Sequence, residues 1–495
     1  MKMSVTMNYW TMLLAACFAF AYQSEAQSNK RPNVLFIAVD DLNDWVGCMG
    51  GHPDTKTPNI DKLAAEGMLF NNAHCTAPLC GPSRTSVATG MHPTSTGYYM
   101  NCQEDFRRGL PDVVTLPQYF KKNGYYVLGA GKLYPDSPAG FKRSFHEFQK
   151  VDTNAVFNIN QYIFNNGPKG RFKGWVLDGG PLDIEDDLMV DGYNSKWAVN
   201  KLRAEEFEKP FFMALGIFRP HLDWFAPRKY FEPFDPETIT LATVKENDLD
   251  DVPAYGKELA HCTRDAETLK RCDQERQATA AYLANVHFAD AMIGRVLDAL
   301  KKSRYADNTL VVLWGDHGLH LGEKEHWRKF TLWDQGTRVP FIVKVPGSEH
   351  NGQTSSQPVS LMDIYPTLVE LCGLPKNETN EGLSIVPLLN GNEKGWDRPV
   401  LVTYGRGDNS IKDERYDYIQ YHDGTEELYD RKKDPNEWTN LAKNPEFSDE
   451  IARLKKYIPK ESVKNRSKGN GAAPVVPWHK TFGHIAGKEI EFMDW

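Results

Sequence analysis

Five apolar runs, each stopped by polar or charged residues, set the pattern of this chain. The first lies within Pro32-Asn33-Val34-Leu35-Phe36-Ile37-Ala38-Val39 and ends abruptly at Asp40-Asp41. A run with no in-out alternation predicts a central strand covered on both faces, as in a parallel sheet. Further runs predict strands at Tyr125–Ala130, Phe211–Ile217, Thr309–Trp314 and Val339–Val345. The second to fourth stop at Gly131-Lys132, Arg219-Pro220-His221 and Gly315-Asp316-His317-Gly318. Between them lie helical patterns, notably over Glu275–Lys302, and Thr57-Pro58-Asn59 opens a helix that Gly67 stops. Strands alternating with helices predict an α/β fold built on a doubly wound sheet, whose ligands gather at the C-terminal strand ends.

After Leu374-Pro375 the pattern changes to short strands at Val400–Tyr404 and Tyr416–Tyr421, a turn at Asp423-Gly424 and a helix near Ser448–Tyr457. This predicts a small antiparallel sheet with a helix, so the expected division is 27–375 and 376–495. The irregular tail from Pro459 holds Trp478, Phe482, Phe492 and Trp495, which argues that it packs against something. Residues 1–26 carry an early Lys2, an apolar core and a small-x-small ending at Ser24-Glu25-Ala26, the pattern of an export signal. Leu14-Ala15-Ala16-Cys17 also resembles a bacterial lipoprotein box, although the residues after Cys17 stay apolar, which favours cleavage after Ala26. The expected location is periplasmic or secreted, with no transmembrane span.

The formal charge of −8 argues against a nucleic-acid binder, which needs a strongly basic face. Any anion site must therefore be local. Of eight cysteines none forms a Cys-x-x-Cys knuckle, which argues against structural zinc, and Cys262–Cys272 is the expected disulfide of an exported chain. Two stretches interrupt the alternation. Phe141–Gly180 mixes Lys142, Arg143, Lys150, Lys169, Arg171 and Lys173 with Phe145, Phe148, Tyr162, Phe164, Phe172 and Trp175. It reads equally as a cover for a polyanionic sugar or as a packed surface loop. Asp235–Arg271 is polar and acidic, with no chemistry legible in its residues.

The chemistry collects at strand ends. Asp40, Asp41, Asp316 and His317 offer three carboxylates and an imidazole, a largely oxygen set suited to one hard divalent cation, with zinc as the alternative. Singly, each Asp would read as a turn cap. Cys80-Gly81-Pro82-Ser83-Arg84-Thr85-Ser86-Val87-Ala88-Thr89-Gly90 predicts a helix with Cys80 at its anion-favouring N-terminus and Gly90 at its end. Arg84 can reach back one turn to position 80, and the bland alternative is a buried free cysteine.

Cys80-x-Pro82-Ser83-Arg84 followed by Thr89-Gly90 closely resembles the signature of the formylglycine-dependent sulfatases. The nearest likeness is to the iduronate-2-sulfatase branch, through Asp316-His317-Gly318, Leu321-Gly322-Glu323, Trp327-Arg328-Lys329 and Arg338-Val339-Pro340. The resemblance implies an alkaline-phosphatase-like mixed sheet flanked by helices, and a calcium ion held by Asp40, Asp41, Cys80, Asp316 and His317. It further implies Cys80 oxidised to formylglycine (3-oxoalanine) by a formylglycine-generating or anaerobic sulfatase-maturating enzyme. Arg84 would hold that residue, Lys132 and Lys329 would contact sulfate, and His221 would donate a proton to the leaving alcohol. The implied substrate is a sulfated carbohydrate, with phosphonate or phosphate ester hydrolysis and turnover-poor glycan binding as the alternatives.

One departure stands out. The family has a histidine two or three residues after the strand-end lysine, whereas Lys132 is followed by Leu133-Tyr134-Pro135-Asp136. His146, His52 or the Tyr134 hydroxyl are the candidates to replace it.

Overall fold

The computed structural model describes residues 31–101, 106–136, 138–156, 177–204, 206–263 and 265–466. Its centre is a mixed sheet of nine strands: β1 (Asn33–Val39), β2 (Met68–His74), β3 (Tyr126–Gly131), β4 (Glu147–Gln149), β5 (Phe211–Ile217), β6 (Thr309–Gly315), β7 (Arg338–Lys344), β8 (Thr354–Ser355) and β9 (Val359–Ser360). The order is β8-β2-β7-β6-β1-β5-β3-β4, with β9 also paired to β2. The predicted strands are all present. One differs in direction: β7 runs antiparallel to β6, and β2, which the pattern did not predict, runs antiparallel to β7.

All seven residues of β1 are buried, and they alternate between two cores. Val34, Phe36 and Ala38 join one apolar cluster, while Leu35, Ile37 and Val39 join the other. This double coverage is why the run reads as continuously apolar. One face is covered by α2 (Cys80–Thr89), α3 (Leu116–Lys122) and α6 (Ile364–Leu371). The opposite face is covered by α1 (Pro58–Ala65), α4 (Val190–Ala204) and the long α5 (Glu275–Lys301). Val400–Thr403 (β10), Asn409–Lys412 (β11), Tyr416–Gln420 (β12) and Glu426–Asp430 (β13) form an antiparallel sheet in that order, with α7 (Ser448–Lys455) packed on it.

Several expectations change here. Cys262 is a buried free thiol, so the bridge to Cys272 is absent. Phe145 is buried in the core, Phe141 and Phe148 pack against it, and Phe141 stacks on Tyr134, so these aromatics of the basic-aromatic stretch are packed rather than presented to a sugar. The remainder of that stretch, Tyr162 to Trp175, lies outside the described residues, as do the export signal with Cys17 and the tail aromatics from Trp478 to Trp495. No helix among the described residues is long and apolar enough to cross a membrane.

Candidate active site

The register of the parallel strands β1, β3, β5 and β6 brings the chemistry to one edge. Val39 of β1 sits opposite Gly315 of β6 and Ile217 of β5, and Gly131 of β3 sits opposite Gly216 of β5. The residues that follow, Asp40, Asp316, Phe218 to His221, and Lys132, therefore emerge side by side. Asp40 N donates to the Ile217 carbonyl (3.1 Å) and Asp316 N to the Val39 carbonyl (3.1 Å), extending the ladder past the strand ends. Gly131 adopts φ 76°, and a Cβ there would fall 1.9 Å from the Gly216 carbonyl oxygen, so only glycine lets the two strands close up beneath Lys132.

Asp41 turns out of β1 with φ 59°, a costly conformation for a residue other than glycine. Two contacts hold it there: its N–H donates to Asp316 Oδ1 (3.0 Å), and its carbonyl lies 2.9 Å from the Tyr282 hydroxyl of α5. Two antiparallel pairings make β2 run the same way as β6, so the chain leaving β2 delivers α2 to the same edge. All ten residues of α2 are buried, polar ones included, and Gly90 closes the helix with φ 69°. Ser83 Oγ donates to the Asp316 carbonyl (2.5 Å), which ties the helix to β6.

Cys80 Sγ lies 3.1 Å from Lys329 Nζ, 3.2 Å from His317 Nε2 and 3.9 Å from Asp41 Oδ1. Lys329 Nζ also donates to Asp41 Oδ1 (2.7 Å), and Lys132 Nζ donates to Asp40 Oδ2 (2.5 Å). The hydrogen bonds of Arg84 do not go to position 80, although the Cys80 group attracts its guanidinium. Its Nε donates to Asp316 Oδ2 (2.7 Å), its Nη2 reaches Asp40 Oδ1 (3.3 Å), and its Nη1 donates to the Lys132 and Leu133 carbonyls (2.6 and 3.1 Å). The guanidinium thus ties β1, β3 and β6 together at their ends. The helix N-terminus is also less open than expected, since Gly81 N donates to Asn101 Oδ1 (2.7 Å).

His221 sits half-buried, its Nδ1 2.7 Å from the Leu222 carbonyl and its ring 5.0 Å from that of Phe218. Its loop is fixed from below by Asp191 of α4, whose two carboxylate oxygens accept from Phe218 N (2.7 Å) and Arg219 N (2.8 Å). Ligand atoms of Asp40, Asp41, Cys80 and His221, and of Asp40, Cys80, Asp316 and His317, lie within 4.8 Å of one another.

Electrostatics follow from this crowding. Burial opposes ionisation of Asp40, but Lys132 and Arg84 hold it well below the usual carboxylate range. Asp41 is likewise held low, against burial, by Lys329, His221 and His317. Burial, and behind it Asp40 and Cys80, pushes Asp316 up to about 7 even against Arg84. Against burial and Asp40, the ammonium groups of Lys132 and Lys329 and the His317 ring pull the Cys80 thiol well below its ordinary value, so position 80 favours an anion. Three buried carboxylates, one of them resisting ionisation, together with an imidazole nitrogen, fit a divalent cation. His317 Nδ1 lies 2.9 Å from the Gly318 carbonyl, an arrangement that turns Nε2 toward Cys80 and Asp41 and would offer it to a cation.

The replacements proposed for the missing histidine are elsewhere. His146 stacks on Tyr126 and pairs with Val127 N, and His52 lies against Trp45 and Thr240. Tyr134 donates to Ser144 Oγ within the core. Asn101, Asp191 and Tyr282, which do brace the site, are far from it in sequence, and no spacing signals them.

The family model described as Sulfatase matches residues 32–374, and one described as N-sulphoglucosamine sulphohydrolase, C-terminal, matches residues 322–464. The chain is 37% identical to a sulfatase of Formosa agariphila over 501 residues, covering 97% of this chain and 98% of that one. It is 29% identical to iduronate 2-sulfatase of Homo sapiens over 418 residues, covering 74% of each. The phosphonate monoester hydrolase of Silicibacter pomeroyi superposes with a TM-score of 0.72 over 86% of this chain and 94% of that one; at 21% identity it shares the fold.

Proposed function

This chain belongs to the sulfatase family and is a sulfuric ester hydrolase, and from that premise we propose that it removes sulfate from a sulfated polysaccharide or oligosaccharide, with formylglycine formed at Cys80. The observation behind this reading is the convergence on Cys80 of Lys329 (3.1 Å) and His317 (3.2 Å), backed by Asp40, Asp41, Asp316 and Lys132 at one sheet edge. The Cys80 thiol stands where the modified residue would be. Formylglycine supplies, as its hydrate, one hydroxyl that attacks sulfur and a second whose deprotonation expels sulfate. Asp40, Asp41, Asp316, His317 and residue 80 would hold one calcium ion, which supplies a fixed divalent charge against the anionic nucleophile and the sulfate.

The remaining work falls to the chain itself. Lys132 and Lys329 pair here with Asp40 and Asp41. Both ammonium groups would stabilise sulfate oxygens as charge moves onto them. Arg84 favours the ionised form of Asp316 against its burial and locks the strand ends. His221 as the imidazolium, with Nδ1–H directed at Leu222 O, gives from Nε2 the proton that the departing sugar oxygen takes up, leaving a neutral ring. A sugar ester is favoured because the relative from Homo sapiens is an iduronate 2-sulfatase. We further propose export through residues 1–26, maturation by a formylglycine-generating or anaerobic maturating enzyme, and a catalytic unit over 27–375 with a C-terminal subdomain.

The absent histidine favours one competing reading, glycan binding with little turnover: besides His317 and His221, neither of the imidazoles considered for that role lies at the site. Protein produced with a maturation enzyme should release sulfate catalytically from at least one member of a panel of sulfated oligosaccharides, and Cys80→Ala should not. Binding without release across the panel would favour the competing reading, and release of phosphate or phosphonate alone would show a different ester specificity.

A further inference from the structure

Four residues between Lys324 and Phe330 have positive φ without being glycine: Lys324 (54°), Glu325 (51°), Arg328 (83°) and Phe330 (87°). Such a backbone is costly for a residue with a side chain and persists only where its surroundings impose it. Lys329, whose ammonium meets Cys80 and Asp41, sits between two of them. The surroundings that impose this shape come largely from Asp235–Arg271, the polar insertion that the strand-helix frame does not require.

The insertion grips the loop at four points. His326 is fully buried, with Nδ1 2.6 Å from the Ala260 carbonyl and Nε2 2.7 Å from the Lys329 carbonyl. One imidazole ring therefore spans the insertion and the backbone of Lys329. Thr263 Oγ1 donates to the Trp327 carbonyl (3.4 Å) and Asp265 pairs with Arg328 (2.5 Å). Asp248 pairs with buried Lys324 (3.0 Å), which also donates to the Glu437 carbonyl. The contacts fall on Lys324, His326, Trp327, Arg328 and Lys329, the run that carries the strained backbone.

We propose that the Asp235–Arg271 insertion is a positioning device for the sulfate-binding lysine, acting through His326, which bridges the Ala260 and Lys329 carbonyls. The inference rests on the reading of Lys329 as a sulfate-binding group. His326 touches no reacting atom; it is a positioning residue, and its effect must pass through Lys329. A misplacement of about 1 Å can cost about 10²-fold in rate, which sets the scale.

The test is a double-mutant cycle on kcat/KM, with an activated aryl sulfate to keep slow variants measurable and the modified fraction of Cys80 measured in each protein. H326Q retains a polar side chain that cannot span both carbonyls. In the wild-type background it should lower kcat/KM by about 10- to 100-fold, and in a Lys329→Ala background by less than about twofold, because residues acting as a unit are not additive. A general loss of stability would give the same loss in both backgrounds, and that result overturns the inference alone. A Lys329→Ala enzyme with wild-type kcat/KM would overturn the sulfate role of Lys329 and the inference with it. Asp265→Asn loosens the loop from the insertion side and should show a smaller loss that also vanishes in the Lys329→Ala background. It keeps the inference testable if H326Q does not fold.

Discussion

Replacing His221 by Ala should produce a loss whose size depends on the leaving group. The Leu222 carbonyl 2.7 Å from Nδ1 accepts from that nitrogen and orients the ring, and the two N–H bonds donated to Asp191 fix the loop. With Nδ1–H so engaged, Nε2 holds the proposed catalytic proton in the imidazolium form, in which both ring nitrogens are donors. A sugar alkoxide is a poor leaving group and needs that proton as the S–O bond breaks, whereas a nitrophenolate leaves unaided. Positioned general acid catalysis is worth about 10²–10⁴ in rate, or about 3–5 kcal/mol at 1.36 kcal/mol per decade. His221→Ala should therefore lose that much in kcat/KM on a sugar sulfate and less than about tenfold on an aryl sulfate. Both substrates are measured in wild type and variant, normalised to the fraction of modified Cys80. Equal losses on the two would refute the reasoning and make His221 a sulfate-binding or structural group.

The cation and the buried acids give two further expectations. Calcium should raise the melting temperature of the wild-type protein, by about 2.7 kcal/mol of stabilisation at a hundredfold excess over Kd, and Asp40→Ala should abolish the shift; no shift in wild type, or stoichiometric zinc in the purified protein, would contradict the assignment. Glu323 is partly buried, accepts from Leu321 N (2.7 Å), and is pushed up by burial to about 7. A carboxyl raised in this way contributes stability that is complete below its unfolded pKa and lost as pH rises through 7, up to about 3 kcal/mol. Denaturant midpoints should therefore fall across that window in wild type and stay flatter in Glu323→Gln, which retains the acceptor; parallel pH profiles would sink this.

Much of the site was legible because its residues sit where apolar runs stop. A strand buried on both faces, such as Val34–Val39, leaves a continuous signal, and its last residue marks the sheet edge. That logic placed Asp40, Asp41, Lys132, His221, Asp316 and His317, and the cysteine string placed Cys80. Met68–His74 escaped because Asn71 and Asn72 break its apolar run, and its place is set by antiparallel pairing with a strand some 270 residues later. Arg84 was expected to hold position 80, but its hydrogen bonds go to Asp40 and Asp316 at neighbouring strand ends, a placement that only the assembled sheet reveals. The insertion that grips the Lys324–Phe330 loop had no legible chemistry because its contacts, the Ala260 carbonyl and the side chains of Asp248, Thr263 and Asp265, meet partners more than 60 residues away, which no spacing signals. The Cys262–Cys272 pairing was argued from spacing and compartment, and burial of Cys262 as a free thiol shows how little spacing constrains a bridge.

The central claim is that turnover depends on a covalent change at Cys80, and it is tested most directly by weighing the peptide that carries this residue. Preparations made with graded amounts of a maturation enzyme should show sulfate release in proportion to the fraction of peptide with the mass of the aldehyde or its hydrate. Full activity in protein whose Cys80 peptide carries only the unmodified thiol would contradict the account.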